Sequence, residues 1–378
     1  MSRKRLAIFA PGGIGVGAFS QGLPALGSLV ASLAERFEVT FYSLSPVNPG
    51  FAPEGFSLRA PSAAVDVKGA RWLDLARRFL ADHLTARYDR LLSLWGYPIG
   101  AFVVGLSRMV RVPAAVMLLG AETADVPSIG YGHLGRPLSR RLVIETCRRA
   151  DALVAVAQSQ LDALARCGFA RPDDHLVPIG AEAALFPFEA QPRASADPFV
   201  KPLKILHVGN LTGVKDQATL LRAFALLPAT LDARLRIVGD GSLRGEIVAL
   251  IHQLGLDRLV ELTGAVSFAE MPSHYRWADM FVLTSLSEGQ NRSLTEAAMC
   301  GVLQVSTPVG HIADLGETVA VVVRAGDPRH VAARIVGIAA DADGWNRRVR
   351  AARGWAATHD MAWTVERLSA ILEGLPAR

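Results

Sequence analysis

Two carboxylates, Glu288 and Glu296, stand with seven residues between them inside the stretch Phe281 to Gly301, FVLTSLSEGQNRSLTEAAMCG. The stretch reads as strand, loop and helix. Phe281 to Thr284 is an apolar run of strand type, Ser285 to Arg292 is polar, and a helix begins near Ser293 and stops at Gly301. The start of that helix exposes the unpaired N–H groups of roughly residues 293 to 296 and a partial positive charge of ~0.5 unit, which suits a phosphate. A carboxylate beside a phosphate site has a use if the phosphate belongs to a nucleotide, because it accepts from both hydroxyls of a ribose. Ser293 to Glu296 also spells a capping box, S-x-x-E, in which Glu296 only bonds back to the Ser293 N–H. The residues alone leave both roles open to Glu296, and Glu288 reads equally as an ordinary loop carboxylate.

An anionic ligand needs positive charge around it. The chain has no D-x-D and no carboxylate cluster able to hold a divalent ion, so no metal site is predicted and fixed cations are expected instead. Lys215, at the start of a helix, opposes that helix's own dipole, which points to a nearby anion; the alternative is a solvated surface lysine. Arg292, inside the main loop, is a second candidate cation. A different chemistry is offered near the amino end, where Gly13, Gly15 and Ala18 follow a strand and satisfy the dinucleotide fingerprint G-x-G-x-x-A. An NAD(P)-binding oxidoreductase would carry an acidic residue at the end of its second strand. Here EVTFYSLSP ends in Ser43, Leu44 and Ser45, while Glu35 and Glu38 come before it. Gly12, Gly13 and Gly15 are also explained by a tight turn.

The elements that must position these residues alternate along the chain. Its 378 residues exceed one typical core and suit two domains, and half of them are apolar and a fifth charged, the balance of a soluble globular protein. The first domain reads as a strand from Arg5 to Ala10, a helix from about Gln21 to Arg36, EVTFYSL, a helix from about Ala70 to Ala86, RLLSLW, a helix from about Ile99 to Met109, PAAVMLL, a helix from about Leu138 to Ala150, and ALVAVA. Such alternation implies a parallel sheet wrapped by helices. Residues 1–185 are assigned to this domain and the proline-rich 186–202 to a linker. The pattern restarts with KILHVG and continues through RLRIVG, VELTG, MFVLTS, VLQVS and AVVV to a helix from about Pro328 to Ala340, giving a second doubly wound domain over 203–358. A last helix falls within 359–378.

The spacing from Glu288 to Glu296, followed by AAMCG and VLQVS, resembles the donor-sugar motif of family 4 retaining glycosyltransferases of the GT-B fold. HVGNLTGVKDQATLLRAFALL, LRIVGDGSLRGEI, TGAVSFAEMPSHYRWADMFVLTS and STPVGHIADLG resemble its neighbouring segments, about 110 residues in order. The resemblance implies two Rossmann-like domains facing a cleft, with the final helix crossing back to the first. It implies a substrate such as a UDP- or GDP-sugar, no separate cofactor and no metal. Lys215 and the Ser293 and Leu294 amides would hold the diphosphate. Glu288 and the Gln290 and Asn291 backbone would hold sugar hydroxyls, Glu296 the ribose, and the segment Gly264 to Val266 the base. Gly12, Gly13 and Gly15 would approach the diphosphate or the acceptor. The family places an Arg and a Lys, with four residues between them, where this chain has Asn210 and Lys215, and Arg292 could replace the missing cation. Where relatives carry His-Gly-Gly-Glu, this chain has Leu119-Gly120-Ala121-Glu122, with His133 a candidate substitute. These two departures motivate the alternative of a non-catalytic partner subunit.

A net charge of +5 and a pI near 9.4 suit anionic partners. The helices ARWLDLARRFLADHLTARYDR and GRPLSRRLVIETCRRADA are basic and apolar-striped, with Trp72, Leu75, Phe79 and Leu80 on one face and Lys68, Arg77 and Arg78 elsewhere. Such a helix either rests on anionic lipid or turns its stripe to the core. No basic cluster interleaved with aromatics supports nucleic-acid binding. Three cysteines, Cys147, Cys167 and Cys300, without metal or disulfide spacing make a reducing cytoplasmic setting the default. The run LAIFA is too short for a signal-peptide core, and no apolar stretch reaches the ~20 residues of a spanning helix, so any membrane contact is expected to be peripheral, at the inner face.

Overall fold

The structure, a computed structural model, describes residues 3–17, 22–61, 68–188 and 202–376. Ala18 and most of the expected linker, 189–201, lie outside the described residues. The chain divides into two compact units, one of residues 1–125, 132–179 and 361–378, the other of residues 126–131 and 180–360.

The first unit is built on a parallel sheet of β1 (Arg5–Ala10), β2 (Glu38–Ser43), β3 (Ser57–Arg59), β4 (Arg90–Leu94), β5 (Ala114–Leu118), β6 (Ala152–Ala155) and β7 (His175–Leu176). Their order is β3-β2-β1-β4-β5-β6-β7. The central strands β1, β4, β5 and β6 are largely apolar and buried because helices cover both faces of the sheet. Alternate residues of β1 accordingly enter different cores: Leu6, Ile8 and Ala10 pack with Leu29 and Leu33, whereas Ala7 and Phe9 pack with Leu75, Phe79 and Val103. Met361, Val365 and Leu368 of the final helix, Met361–Gly374, join the first of these cores, so the carboxyl end of the chain is part of this unit. Arg90 Nε donates to the Leu372 carbonyl at 2.7 Å and Thr364 Oγ1 to the Pro178 carbonyl at 2.7 Å, fixing that helix. On the helix Lys68–Thr85, Leu75 and Phe79 are buried and Trp72 and Leu80 pack beside them, so of the two readings of this stripe the core-facing one is observed. The stretch Leu119 to Glu122 ends on a buried carboxylate: Glu122 accepts from the N–H groups of Leu119 (2.7 Å), Gly120 (3.0 Å) and Gly96 (3.1 Å). Burial pushes the Glu122 carboxyl up, and those N–H groups pull it back only in part. His133 packs its ring against Tyr97, with 5.0 Å between centroids.

The second unit holds a parallel sheet of β8 (Lys204–Val208), β9 (Arg234–Val238), β10 (Val260–Gly264), β11 (Met280–Leu283), β12 (Leu303–Ser306) and β13 (Val321–Val322), ordered β10-β9-β8-β11-β12-β13. The order reverses between β8 and β11, the point at which open parallel sheets leave a crevice beyond the strands' carboxyl ends. Residues 180–188 pack in this unit: Phe186 is fully buried against Phe268 and Tyr275, each 5.7 Å between centroids.

Candidate functional site

The loops that follow β8 and β11 form the candidate site. After β8 the chain passes Gly209 and Asn210 and makes a 3-10 turn, Gly213–Lys215. Asp216 then caps the helix Gln217–Ala225 by accepting the Thr219 N–H at 3.2 Å. Lys215 Nζ donates to Glu288 Oε1 at 2.6 Å, with only 17% and 13% of the two side chains exposed. The same oxygen accepts from Ser285 Oγ at 2.7 Å and Asn291 Nδ2 at 3.2 Å. Thr284 Oγ1 donates to the Asp216 carbonyl at 2.8 Å, and the Leu286 N–H to the Val214 carbonyl at 2.8 Å, so the two loops are joined by backbone as well as by charge. Beneath them His207 is fully buried, its Nδ1 3.0 Å from the Val282 carbonyl. Burial pushes His207 down to about 4, and the Lys215 ammonium acts in the same direction.

The helix begins at Arg292, not Ser293, and ends at Met299. Its cap is Asn291, whose Oδ1 accepts the Leu294 N–H at 3.3 Å. Of the two roles open to Glu296, the capping box from Ser293 is therefore not formed: Glu296 lies beyond the first turn. Its Oε1 accepts from Arg292 Nε at 3.0 Å and its Oε2 from the Tyr275 hydroxyl at 2.7 Å. Glu296 is 6% exposed; burial pushes its carboxyl up, while Arg292 and the Tyr275 bond pull the other way. Arg292 also pairs with Glu182. Arg292 Nη1 and Glu182 Oε1 are buried without a hydrogen-bond partner. Leu294, expected to offer its amide to a phosphate, is fully buried and already bonded to Asn291.

The remaining expected residues are placed as follows. Gln290 Nε2 donates to Thr295 Oγ1 at 3.3 Å. Gly310 has φ of 53°, and a Cβ there would lie 3.2 Å from the Gln290 Cα, so only glycine lets the next loop rest on the motif. Asn210 is exposed, and its carbonyl accepts from Gln217 Nε2 at 3.0 Å. Gly264 ends β10, where its carbonyl accepts the Gly239 N–H at 2.9 Å, and Val266 packs at the edge of the core formed by Tyr275 and Phe281. In the first unit Gly13 and Gly15 have φ of 96° and 68°. A Cβ on Gly15 would lie 2.4 Å from Phe51, so internal packing already requires glycine there, while one on Gly12 would lie 3.1 Å from Ser45, a tight contact. Sequence reasoning missed Glu182, Tyr275, Ser285, Gln217 and His207. Of these His207 carried a signal, a lone polar residue inside the apolar strand KILHV.

Two parallel-sheet Rossmann-like units define the class by fold, which is that of the GT-B glycosyltransferases. Residues 202–341 match the model of the family described as glycosyl transferases group 1. It is similar to a D-inositol 3-phosphate glycosyltransferase of Pseudarthrobacter chlorophenolicus, 26% identical over 231 residues, which is 58% of this chain and 51% of the relative. It is also similar to N-acetylgalactosamine-N,N'-diacetylbacillosaminyl-diphospho-undecaprenol 4-alpha-N-acetylgalactosaminyltransferase of Campylobacter jejuni, 36% identical over 116 residues, 30% of each chain. The chain thus spans from about a third to about half the length of these relatives. Among solved structures, HepE of Anabaena in complex with UDP and glucose superposes with a TM-score of 0.77 at 16% identity, covering 99% of this chain and 100% of that one. Among the described residues, no helix is long and apolar enough to cross a membrane, and no group of three His, Cys, Asp or Glu side chains could hold a metal ion.

Proposed function

We propose that the protein is a retaining, metal-independent glycosyltransferase that moves a sugar from a nucleoside-diphosphate sugar to an acceptor hydroxyl. The observation that carries this reading is the Lys215–Glu288 pair at the switch point of the second sheet, inside the residues that match the family. The bound UDP and glucose of HepE make a UDP-sugar the first donor to test. On donor binding the Lys215 ammonium exchanges Glu288 for a diphosphate oxygen, and the freed Glu288 carboxylate, still held by Ser285 and Asn291, accepts from a sugar hydroxyl. The bond between the anomeric carbon and the diphosphate oxygen breaks as the acceptor oxygen bonds that carbon on the same face. The acceptor proton passes to the departing diphosphate, so no protein nucleophile is consumed. Glu296 reaches ribose hydroxyls by exchanging its bond to Tyr275 or Arg292.

One observation favours a second reading. Lys215 and Arg292 are both neutralised by carboxylates, and Asn210 supplies no charge, as in a non-catalytic subunit that keeps the fold. Thermal shift with UDP, GDP and NADH, followed by an assay of sugar-donor hydrolysis, tests both. The transferase reading expects stabilisation by UDP or GDP and slow donor hydrolysis, since a ligand stabilises the state that binds it. Stabilisation by NADH alone would return the oxidoreductase, and stabilisation by UDP or GDP without turnover of any donor would favour the subunit.

A further inference from the structure

We propose that His207 and Gln217 are positioning residues that hold the loop presenting Asn210 and Lys215, an inference that rests on the donor-site reading above. The β8–β11 ladder pairs Ile205 with Met280 and Leu206 with Phe281. One residue further along, the His207 imidazole joins the two strands through a side chain. The Val282 carbonyl, 3.0 Å away, can only accept, so the proton sits on Nδ1 and Nε2 keeps its lone pair. That lone pair accepts from Gln217 Nε2 at 3.2 Å, and the other hydrogen of the same amide goes to the Asn210 carbonyl at 3.0 Å. Both neighbours of Gln217 are acceptors, which sets its amide orientation. Gln217 is 1% exposed, and its Oε1 is buried without a hydrogen-bond partner. The side chain thus leaves one acceptor unsatisfied while keeping both N–H bonds, an arrangement a core-filling residue has no reason to adopt. A continuous bridge results, from the Val282 backbone through the imidazole and the amide to the Asn210 backbone. Lys215 belongs to the same loop: a Cβ on Gly209 would lie 3.5 Å from Lys215 Cε and 3.6 Å from His207 Nε2. The ammonium therefore rests on a platform whose height the bridge sets.

The test combines hydrogen exchange over residues 209–215 in the ligand-free protein with UDP and uridine affinities by calorimetry. His207→Asn keeps a donor near the Nδ1 position for Val282 and loses the acceptor for Gln217. Its exchange over 209–215 should quicken relative to residues 280–283, and UDP should bind about tenfold more weakly, ~1.4 kcal/mol, with uridine unchanged. Gln217→Leu should give the same result, and the double variant should be no worse than Gln217→Leu alone, because the two residues act in series. His207→Gln, which returns an oxygen acceptor near the Nε2 position but no donor near Nδ1, keeps the link to Gln217 alone, so UDP affinity should fall between that of His207→Asn and the parent, and the variant serves as the folded control. Parent-like exchange in folded His207→Asn and Gln217→Leu overturns the proposal, as does an equal weakening of UDP and uridine. If the parent binds neither UDP nor GDP while exchange responds as described, the donor-site reading falls and the bridge stands.

Discussion

A carboxylate buried against an arginine and a tyrosine behaves differently from one that caps a helix, and Glu296 distinguishes the two. As a cap, Glu296→Gln would be nearly silent, since glutamine serves at that position almost as well. In the structure the substitution removes the charge facing Arg292, and we expect a stability loss of ~1.5–3 kcal/mol, the worth of a charge-assisted hydrogen bond. Urea unfolding that matches the parent would sink this account of the network. Lys215 makes the complementary prediction on binding. Lys215→Ala removes the cation and leaves the Glu288 carboxylate facing an incoming anion, so UDP should weaken by ~1.5–3 kcal/mol while uridine is little affected. Equal losses for both ligands would take Lys215 out of the phosphate site. Of the candidate site, Lys215, Glu288, Arg292 and Glu296 stand out in the sequence as charged side chains inside strand-loop-helix patterns. Their pairing does not. Lys215 and Glu288 are 73 residues apart and Arg292 and Glu182 are 110 apart, and no local spacing encodes such pairs.

At the scale of elements, legibility followed length. The helix predicted from Ile99 to Met109 is observed as Ile99–Val110, and the one predicted from Pro328 to Ala340 as Pro328–Ala339, because three turns of apolar periodicity fix a helix within a residue or so. The strands Ser57–Arg59 and His175–Leu176 are too short to show a period, and they were missed. The helix Gln158–Arg166 was also missed, following directly on a strand without a side-chain cap to announce it. The start of the motif helix was misplaced by one residue, since S-x-x-E competed with Asn291, which bonds at both ends: Oδ1 to the Leu294 N–H and Nδ2 to Glu288. Asn291→Ala should therefore cost ~1 kcal/mol for the lost cap and also weaken UDP binding. Asn291→Asp keeps the cap acceptor and puts a second carboxylate beside Glu288. It should retain most of the stability by thermal melting yet bind UDP more weakly than the parent. If Asn291→Asp bound UDP as the parent does, the Asn291–Glu288 bond would have no part in ligand binding.

For the molecule as a whole, two histidines fully enclosed in the second unit make stability depend on pH. His311 is 3% exposed, stacks on Trp355 with 4.4 Å between centroids, and has an Nδ1 without a hydrogen-bond partner. Burial pushes it down to about 3, and His359, which also stacks on Trp355, acts in the same direction. His207 is pushed down to about 4. In the unfolded chain both titrate near 6.5, so below that pH the unfolded state binds protons that the folded state refuses. The stability they contribute is complete above about pH 6.5 and is lost as pH falls, with a limiting slope of about 1.4 kcal/mol per pH unit for each histidine until its folded value is reached. Glu122 and Glu296 are pushed up by burial and work in the opposite sense, so the net curve alone does not isolate the histidines. His311→Phe does so: it keeps an aromatic ring against Trp355 and cannot bind a proton. Its melting temperature should stay close to the parent's at about pH 7.5 and exceed it at about pH 5. Parallel melting curves for parent and His311→Phe across that interval would show that His311 is not held neutral in the folded protein.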